Sequence, residues 1–203
     1  MSRQASESFG KTIPAMHPEK PQLRMIWPSA SRRHCPVVNA PAGYFVRTFR
    51  TGDEHAFLSL MSCLDFDPWD EAKLAYNVNR IIPEGWFFAT DSSRQIVATA
   101  MGLHNYSGRS PFTGDVGWVA CHPDHRGQGL GRCLCAHVTR RFLQAGYTAI
   151  PLHTEYYRLP AIKTYLNLGY VPSIASPEVW AIWEGVCARL SWPFTPEAWT
   201  AQA

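Results

Sequence analysis

Apolar positions recur along this chain with two periods, and each change of period marks a new element. Tyr44, Val46 and Thr48 fall on one face of an extended stretch, which predicts a strand over residues 44–50. Ala56, Phe57, Leu60, Met61 and Leu64 then follow at helical spacing, behind a Thr51-Gly-Asp53 turn and cap. A second helix is expected from Asp67-Pro68 to about Ile82: Asp67 can cap it, Pro68 suits its first turn, and Asp70 and Glu71 favour its positive end. Residues 86–90 and 95–101 flank an Asp91-Ser-Ser-Arg94 turn and read as a hairpin. A polar loop, 105–113, leads to a strand at 115–121 and then a glycine-rich turn. The next helix runs from Leu130 to about Ala145, with Leu130, Leu134, Val138 and Phe142 on one stripe and Gly146 as its stop. A strand at 148–154 and a helix at 160–168 follow. A last helix begins at Pro177, with Val179, Ile182, Trp183, Val186 and Leu190 on its apolar face. This order, βααβββαβα plus a C-terminal helical extension (176–203), predicts an α/β (α+β) domain over 44–175: a mixed sheet covered by helices.

Residues 1–43 lack either period. Prolines at 14, 18, 21, 28, 36 and 41 interrupt them, and they read as a poorly ordered arm. The formal charge of +3 belongs to this arm, whose six basic residues outnumber Glu7 and Glu19 by four, leaving the body at −1. No nucleic-acid partner is expected, since no reading motif accompanies the basic residues. The 203 residues fit one main domain, and 46% hydrophobic content is too apolar for a disordered chain. No uncharged apolar run approaches the roughly 18–20 residues of a membrane span. The six cysteines lack C-x-x-C spacing and the first twenty residues lack an apolar leader, so buried thiols and a cytoplasmic protein are expected. The eight histidines show no metal-binding spacing, so no metal is expected. The apolar segment from Val179 to Trp199 could cover a sheet edge or a partner, which leaves a homodimer open.

The stretch richest in chemistry is Val119-Ala-Cys-His-Pro-Asp-His-Arg-Gly-Gln-Gly-Leu-Gly131. A strand runs into a turn with Gly127, Gly129 and Gly131, and a helix begins there. Glycines at alternate positions let a ligand approach the backbone closely, and free N–H groups at a helix start favour an anion. A P-loop is excluded because Gly131-Arg132-Cys133 lacks the Lys and the hydroxyl. A dinucleotide fold is disfavoured because the spacing is G-x-G-x-G and lies deep in the chain.

Two motifs together resemble the GNAT superfamily of acetyl-CoA-dependent N-acetyltransferases. Arg126-Gly-Gln-Gly129-Leu-Gly131 is similar to the family's Arg/Gln-x-x-Gly-x-Gly/Ala signature, and Ala161-Ile-Lys-Thr-Tyr165-Leu-Asn-Leu-Gly169-Tyr170 to its Ala-x-x-x-Tyr-x-x-x-Gly-Phe/Tyr element. The resemblance implies a GNAT-like, mostly antiparallel sheet flanked by helices and splayed between its fourth and fifth strands. It implies acetyl transfer from acetyl-CoA to a primary amine, expected to be on a small molecule, by direct attack. The CoA pyrophosphate would lie on the backbone of Arg126, Gly127, Gln128, Gly129, Leu130, Gly131 and Arg132, and the pantetheine arm along Val119, Ala120 and Cys121. Tyr165 would be the acid for the leaving thiolate. Asp115 would be the base, with Glu155 and His122 as alternatives. Arg158 stands where many members have Asn and could instead meet a CoA phosphate or an acidic substrate. Trp69, Tyr76, Trp86, Tyr156 and Tyr157 are candidate acceptor-lining groups. The contrasting reading is a non-catalytic acyl-CoA-binding module with the same fold.

Overall fold

The computed structural model describes residues 22–105, 108 and 110–201. Within them the extended segments form one seven-stranded sheet in the order β2-β3-β4-β5-β6-β1-β7. The strands are β1 (Gln22–Ile26), β2 (Phe45–Thr48), β3 (Ile81–Thr90), β4 (Ile96–His104), β5 (Gly114–Cys121), β6 (Pro151–Glu155) and β7 (Val171–Pro172). The helices are α1 (Glu54–Ser62), α2 (Glu71–Val78), α3 (Leu130–Gln144), α4 (Leu159–Leu168), α5 (Pro177–Leu190) and α6 (Pro196–Thr200). Neighbouring strands are antiparallel except β5 and β6, which are parallel. The expected mixed, mostly antiparallel sheet flanked by helices is therefore present. The fourth and fifth strands of the sequence reading are β5 and β6, because one strand precedes them all.

That additional strand corrects the reading of the arm. Gln22–Ile26 lies inside the sheet, paired with β6 on one side and β7 on the other. Its alternation is legible afterwards: Leu23 and Met25 are buried in the core, while Gln22 and Arg24 face the other way. Pro21 and Pro28 bracket the strand and hide it among turn signals. Trp27 continues the anchorage, donating its backbone N–H to the Ile150 carbonyl (3.0 Å) and packing edge-on against Tyr170 at 5.4 Å. The part of the arm before residue 22 lies outside the described residues, as do residues 106, 107 and 109 of the polar loop.

The second helix also differs from expectation. It begins at Glu71 with Asp70, not Asp67, as its cap: the Asp70 carboxylate accepts the N–H of Lys73 at 2.7 Å. Asp67 and Pro68 belong to an irregular segment, 63–70. The helix ends at Val78, and β3 already begins at Ile81. Pro83-Glu-Gly85 is absorbed into that strand as a register shift with Glu84 at φ 58° rather than ending an element.

Two apolar layers cover the two faces of the sheet. Leu130, Leu134, Val138 and Phe142 of α3 meet Ile162, Tyr165 and Leu166 of α4 over Val116 and Leu152, with Trp183 of α5 and Trp199 of α6 in the same cluster. On the opposite face Phe57, Met61 and Leu74 from α1 and α2 pack on Trp86, Phe88, Met101 and Leu103. Trp86 is therefore a core residue, stacked on Phe49 and donating Nε1–H to Thr99 Oγ1 at 3.0 Å, not an acceptor-lining group.

If β1 is a full member of the core, Leu23→Ala creates a cavity beneath α3 and α4. It should lower unfolding free energy by about 2–5 kcal/mol, measured by urea denaturation. A change within error would show that residues 22–26 contribute nothing to the fold.

Candidate active site

The site is built where β5 and β6 part. They pair at Val116↔Leu152, with an isolated bridge at Thr113↔Ala149, and no register is shared beyond that point. The cause lies within β5. Against β4, Thr99 pairs with Ala120 and Met101 with Gly117, so β5 carries one residue more than its partner. Trp118 sits in this bulge at φ 49°, in the left-handed region that a bulky side chain rarely adopts. The extra residue shifts the alternation. Val116, Val119 and Cys121 face α3 and α4, while Trp118 and Ala120 face α1 and α2. The strand turns away from β6, and among the described residues the edge formed by Val119, Ala120 and Cys121 has no strand partner on that side.

β5 leads through His122 and a short 3-10 turn (Pro123–His125) to the start of α3. Gly127 and Gly129 take φ values of 78° and 80°, and Gly129 is the N-cap of α3. Among the described residues, no acceptor engages the backbone N–H groups of Gly127, Gln128, Gly129, Leu130, Gly131 and Arg132; the first intrahelical bond is Cys133 N–H to Gly129 at 3.0 Å. The N–H of Arg126 is already donated to Pro123, at 3.3 Å, so the open run starts one residue later than expected. A Cβ placed on Gly127 would meet nothing within 4 Å, so the space over the loop is open. Consecutive free donors at a helix N-terminus suit a phosphate. The loop is held from behind: Tyr44 Oη lies 3.0 Å from His125 Nδ1, and a Cβ placed on Gly129 would stand 3.9 Å from Pro41 Cγ.

Tyr165 lies on the buried face of α4. Among the described residues no hydrogen bond engages its hydroxyl, in contrast to Tyr170, whose hydroxyl meets the buried Thr139 Oγ1 at 2.7 Å. Burial drives the Tyr165 phenol well above the ordinary tyrosine value, with Cys135 adding to the rise; Arg158 opposes it and Glu155 adds a smaller upward push.

Asp115 is buried on the α1/α2 face, and its Oδ1 lies 3.6 Å from Nδ1 of His153, the residue after Leu152 on β6. Sequence reasoning missed His153. Its signal was the alternation Leu152, Thr154 inward against His153, Glu155 on the other face. The alternative bases are otherwise engaged. Glu155 forms an ion pair with Arg158 (Oε2 to Nε 2.7 Å), and His122 caps the turn after β5 by accepting the N–H of Asp124 at 3.3 Å. The same face carries an aromatic group: Trp118 packs on Trp69 at 4.6 Å and on Phe66 at 6.2 Å, and donates Nε1–H to the buried Asn77 at 2.7 Å. Lys73 lies 5.2 Å from both indole rings. Tyr76, Tyr156 and Tyr157 are exposed. Among the described residues, no group of three His, Cys, Asp or Glu side chains could hold a metal, and no helix is long and apolar enough to cross a membrane.

The profile of the acetyltransferase (GNAT) family matches residues 54–170. Mycothiol acetyltransferase of Saccharomonospora viridis is 26% identical over 167 residues, covering 73% of this chain and 53% of its own length. The protein of the same name from Saccharopolyspora erythraea is 30% identical over 138 residues, covering 64% of this chain and 44% of its own. This chain thus spans about half the length of the curated relatives it matches. Among solved structures, a GCN5-related N-acetyltransferase from Sphaerobacter thermophilus superposes with a TM-score of 0.57 at 22% identity, covering 76% of this chain and 50% of that one. The ribosomal-protein-S18-alanine N-acetyltransferase of Escherichia coli gives 0.52 at 24% identity, covering 62% and 76%. These two likenesses are likenesses of fold.

The two neighbouring tyrosines give a test of which hydroxyl the fold requires. Tyr165→Phe should change unfolding free energy by less than about 0.5 kcal/mol, whereas Tyr170→Phe should cost about 1–3 kcal/mol by leaving buried Thr139 short of a partner. Equal losses in thermal or chemical denaturation would make Tyr165 a structural residue.

Proposed function

The chain belongs to the acetyltransferase (GNAT) family, and from that premise we propose that it moves an acetyl group from acetyl-CoA to a primary amine on a small-molecule acceptor. The observation that carries the proposal is the open run of amides from Gly127 to Arg132, set beside the unpaired edge of β5. A pyrophosphate on those amides is favoured by the α3 dipole and by the adjacent Arg126 and Arg132 side chains. The pantetheine arm then pairs along Val119, Ala120 and Cys121 as an added strand, and brings the thioester to the bulge at Trp118. A β5 backbone N–H at the unpaired edge polarises the thioester carbonyl, in the manner of an oxyanion hole.

The acceptor approaches on the α1/α2 face, where Asp115 and His153 lie. The amine must be neutral to attack, so a base there removes the ammonium proton. We assign that step to the Asp115–His153 pair, with the carboxylate orienting the imidazole. Attack of the amine nitrogen on the thioester carbon forms the amide bond, the C–S bond breaks, and the thiolate leaves. Tyr165 is the donor that meets the departing sulfur from the α4 side, and burial keeps its hydroxyl protonated. The shared name of the curated relatives supports acetyl transfer; at 26% and 30% identity their acceptor does not carry over.

Thiol release from acetyl-CoA with a panel of primary amines tests this reading. Tyr165→Phe and Asp115→Asn should each lower kcat by about 10²-fold or more while leaving the KM for acetyl-CoA within about twofold. Tight CoA binding without turnover on any amine would replace the enzyme with a binding module. Separately, Gly129→Val forces a branched side chain into the left-handed region at the cradle. It should weaken acetyl-CoA binding about tenfold, read by calorimetry; unchanged affinity would place the phosphates elsewhere.

A further inference from the structure

Arg158 departs from the pattern of the second motif, and its contacts give it a different task from meeting a CoA phosphate. It is the N-cap residue of α4, separated from the end of β6 by the turn residues Tyr156 and Tyr157. Its Nε lies 2.7 Å from Glu155 Oε2, an ion pair whose alignment is poor for a hydrogen bond, since Nε counts as buried without a hydrogen-bond partner. Its Nη2 donates to the Asp65 carbonyl at 3.3 Å, and its guanidinium stands 4.7 Å from the centroid of the Phe66 ring. Asp65 and Phe66 belong to segment 63–70, which joins α1 to α2 without forming either. From β5, Trp118 packs on the same Phe66 and on Trp69 toward the segment's other end.

The segment therefore reaches from one lip of the cleft to the other. Trp118 lies on β5 past the last β5–β6 pair, and Arg158 comes three residues after the last residue of β6. The segment crosses on the α1/α2 face, which also carries Asp115 and His153. Most of its residues are exposed and none is in a helix or strand. Its position thus depends on the rings beneath it, on Lys73, whose Nζ donates to the Asp67 and Pro68 carbonyls at 3.1 and 3.4 Å, and on Arg158 at the Asp65–Phe66 end. A guanidinium suits the task because it can pair with a carboxylate, donate to a carbonyl and lie over a ring at once.

We propose that Arg158 is a positioning residue that fastens segment 63–70 across the open end of the β5–β6 cleft, and so fixes one wall of the acceptor site. The proposal rests on the acetyl-transfer reading for the word acceptor; the fastening itself does not.

The test compares Arg158→Gln, Arg158→Lys and Phe66→Leu with the unaltered chain by hydrogen–deuterium exchange and by kinetics. Backbone amides of 63–70 should exchange about tenfold faster in Arg158→Gln, with α3 unchanged. Arg158→Lys, which keeps the charge on Glu155 but not the planar fork, should fall between. With an amine that the unaltered chain turns over, the acceptor KM should rise about tenfold and the acetyl-CoA KM should stay within twofold. Unchanged exchange across 63–70 overturns the proposal. So does an acetyl-CoA KM that rises as much as the acceptor's, because Arg158 would then serve the cofactor. If exchange rises throughout Arg158→Gln, that variant has lost its fold and Phe66→Leu decides: faster exchange confined to 63–70 supports the fastening, and none refutes it. Absence of turnover in the unaltered chain would sink the acetyltransferase reading, while exchange still decides the fastening.

Discussion

The constraint on which the structure turns is one unmatched residue in β5. A parallel pair that kept its register would bond from Val116 and Leu152 to the ends of both strands, and the sheet would be closed. The additional residue at the bulge prevents this, with Trp118 held at positive φ and the strand edge swung away from β6. Such a backbone persists only where its surroundings over-determine it. Here the indole bonds Asn77, whose own amide donates to the Lys73 carbonyl at 2.8 Å, so α2 holds the bulge from above. Helix α2 thus contributes to the cleft without lining the amide run after β5.

The opening divides the chemistry between two faces. On the α3/α4 side lie the amide run after β5 and the buried phenol of Tyr165, both favouring groups that are or become negative. On the α1/α2 side lie the Asp115–His153 pair and the aromatic segment tied by Arg158. A ligand entering from the first side and another from the second meet only where the strands have parted. Strand β1 makes this division affordable. Paired on both sides, it continues the sheet past β6, so that the loss of pairing between β5 and β6 does not leave β6 hanging from a single short contact.

The helix-forming stripes and the glycine turn were legible because each rests on local chemistry: Leu130, Leu134, Val138 and Phe142 at helical spacing, and glycines where φ is positive. The cradle could be read from Gly127 and Gly129 for the same reason. What remained hidden depended on partners distant in sequence. Gln22–Ile26 is short and sits between prolines, and only its pairing with residues 151–155 makes it a strand. Asp67 and Asp70 are both acceptable caps before the same apolar pattern, and Trp69, drawn down onto Trp118 and Phe57, decides in favour of Asp70. His153 has no local signature. It becomes a candidate base only because the sheet sets it beside Asp115, thirty-eight positions earlier in the chain.

Burial of Tyr165 bears on how the proposed reaction must divide its proton transfers. A phenol raised well above its ordinary value is a weaker acid than the thiol that leaves in the proposed reaction, a free cysteine thiol being about 8.5. Full transfer from Tyr165 to the leaving sulfur is therefore uphill if it stands alone. A hydrogen bond to the developing thiolate is not, and it is strengthened by the dry surroundings that raise the phenol. The attacking amine, meanwhile, becomes far more acidic once its nitrogen is bonded to the acyl carbon. In the proposed reaction the proton it sheds passes to the Asp115–His153 pair once the pair has released the ammonium proton to solvent, while the donor on α4 stabilises the thiolate by a hydrogen bond. A site with the tyrosine exposed and the carboxylate solvated would lose this coupling; here both groups are buried.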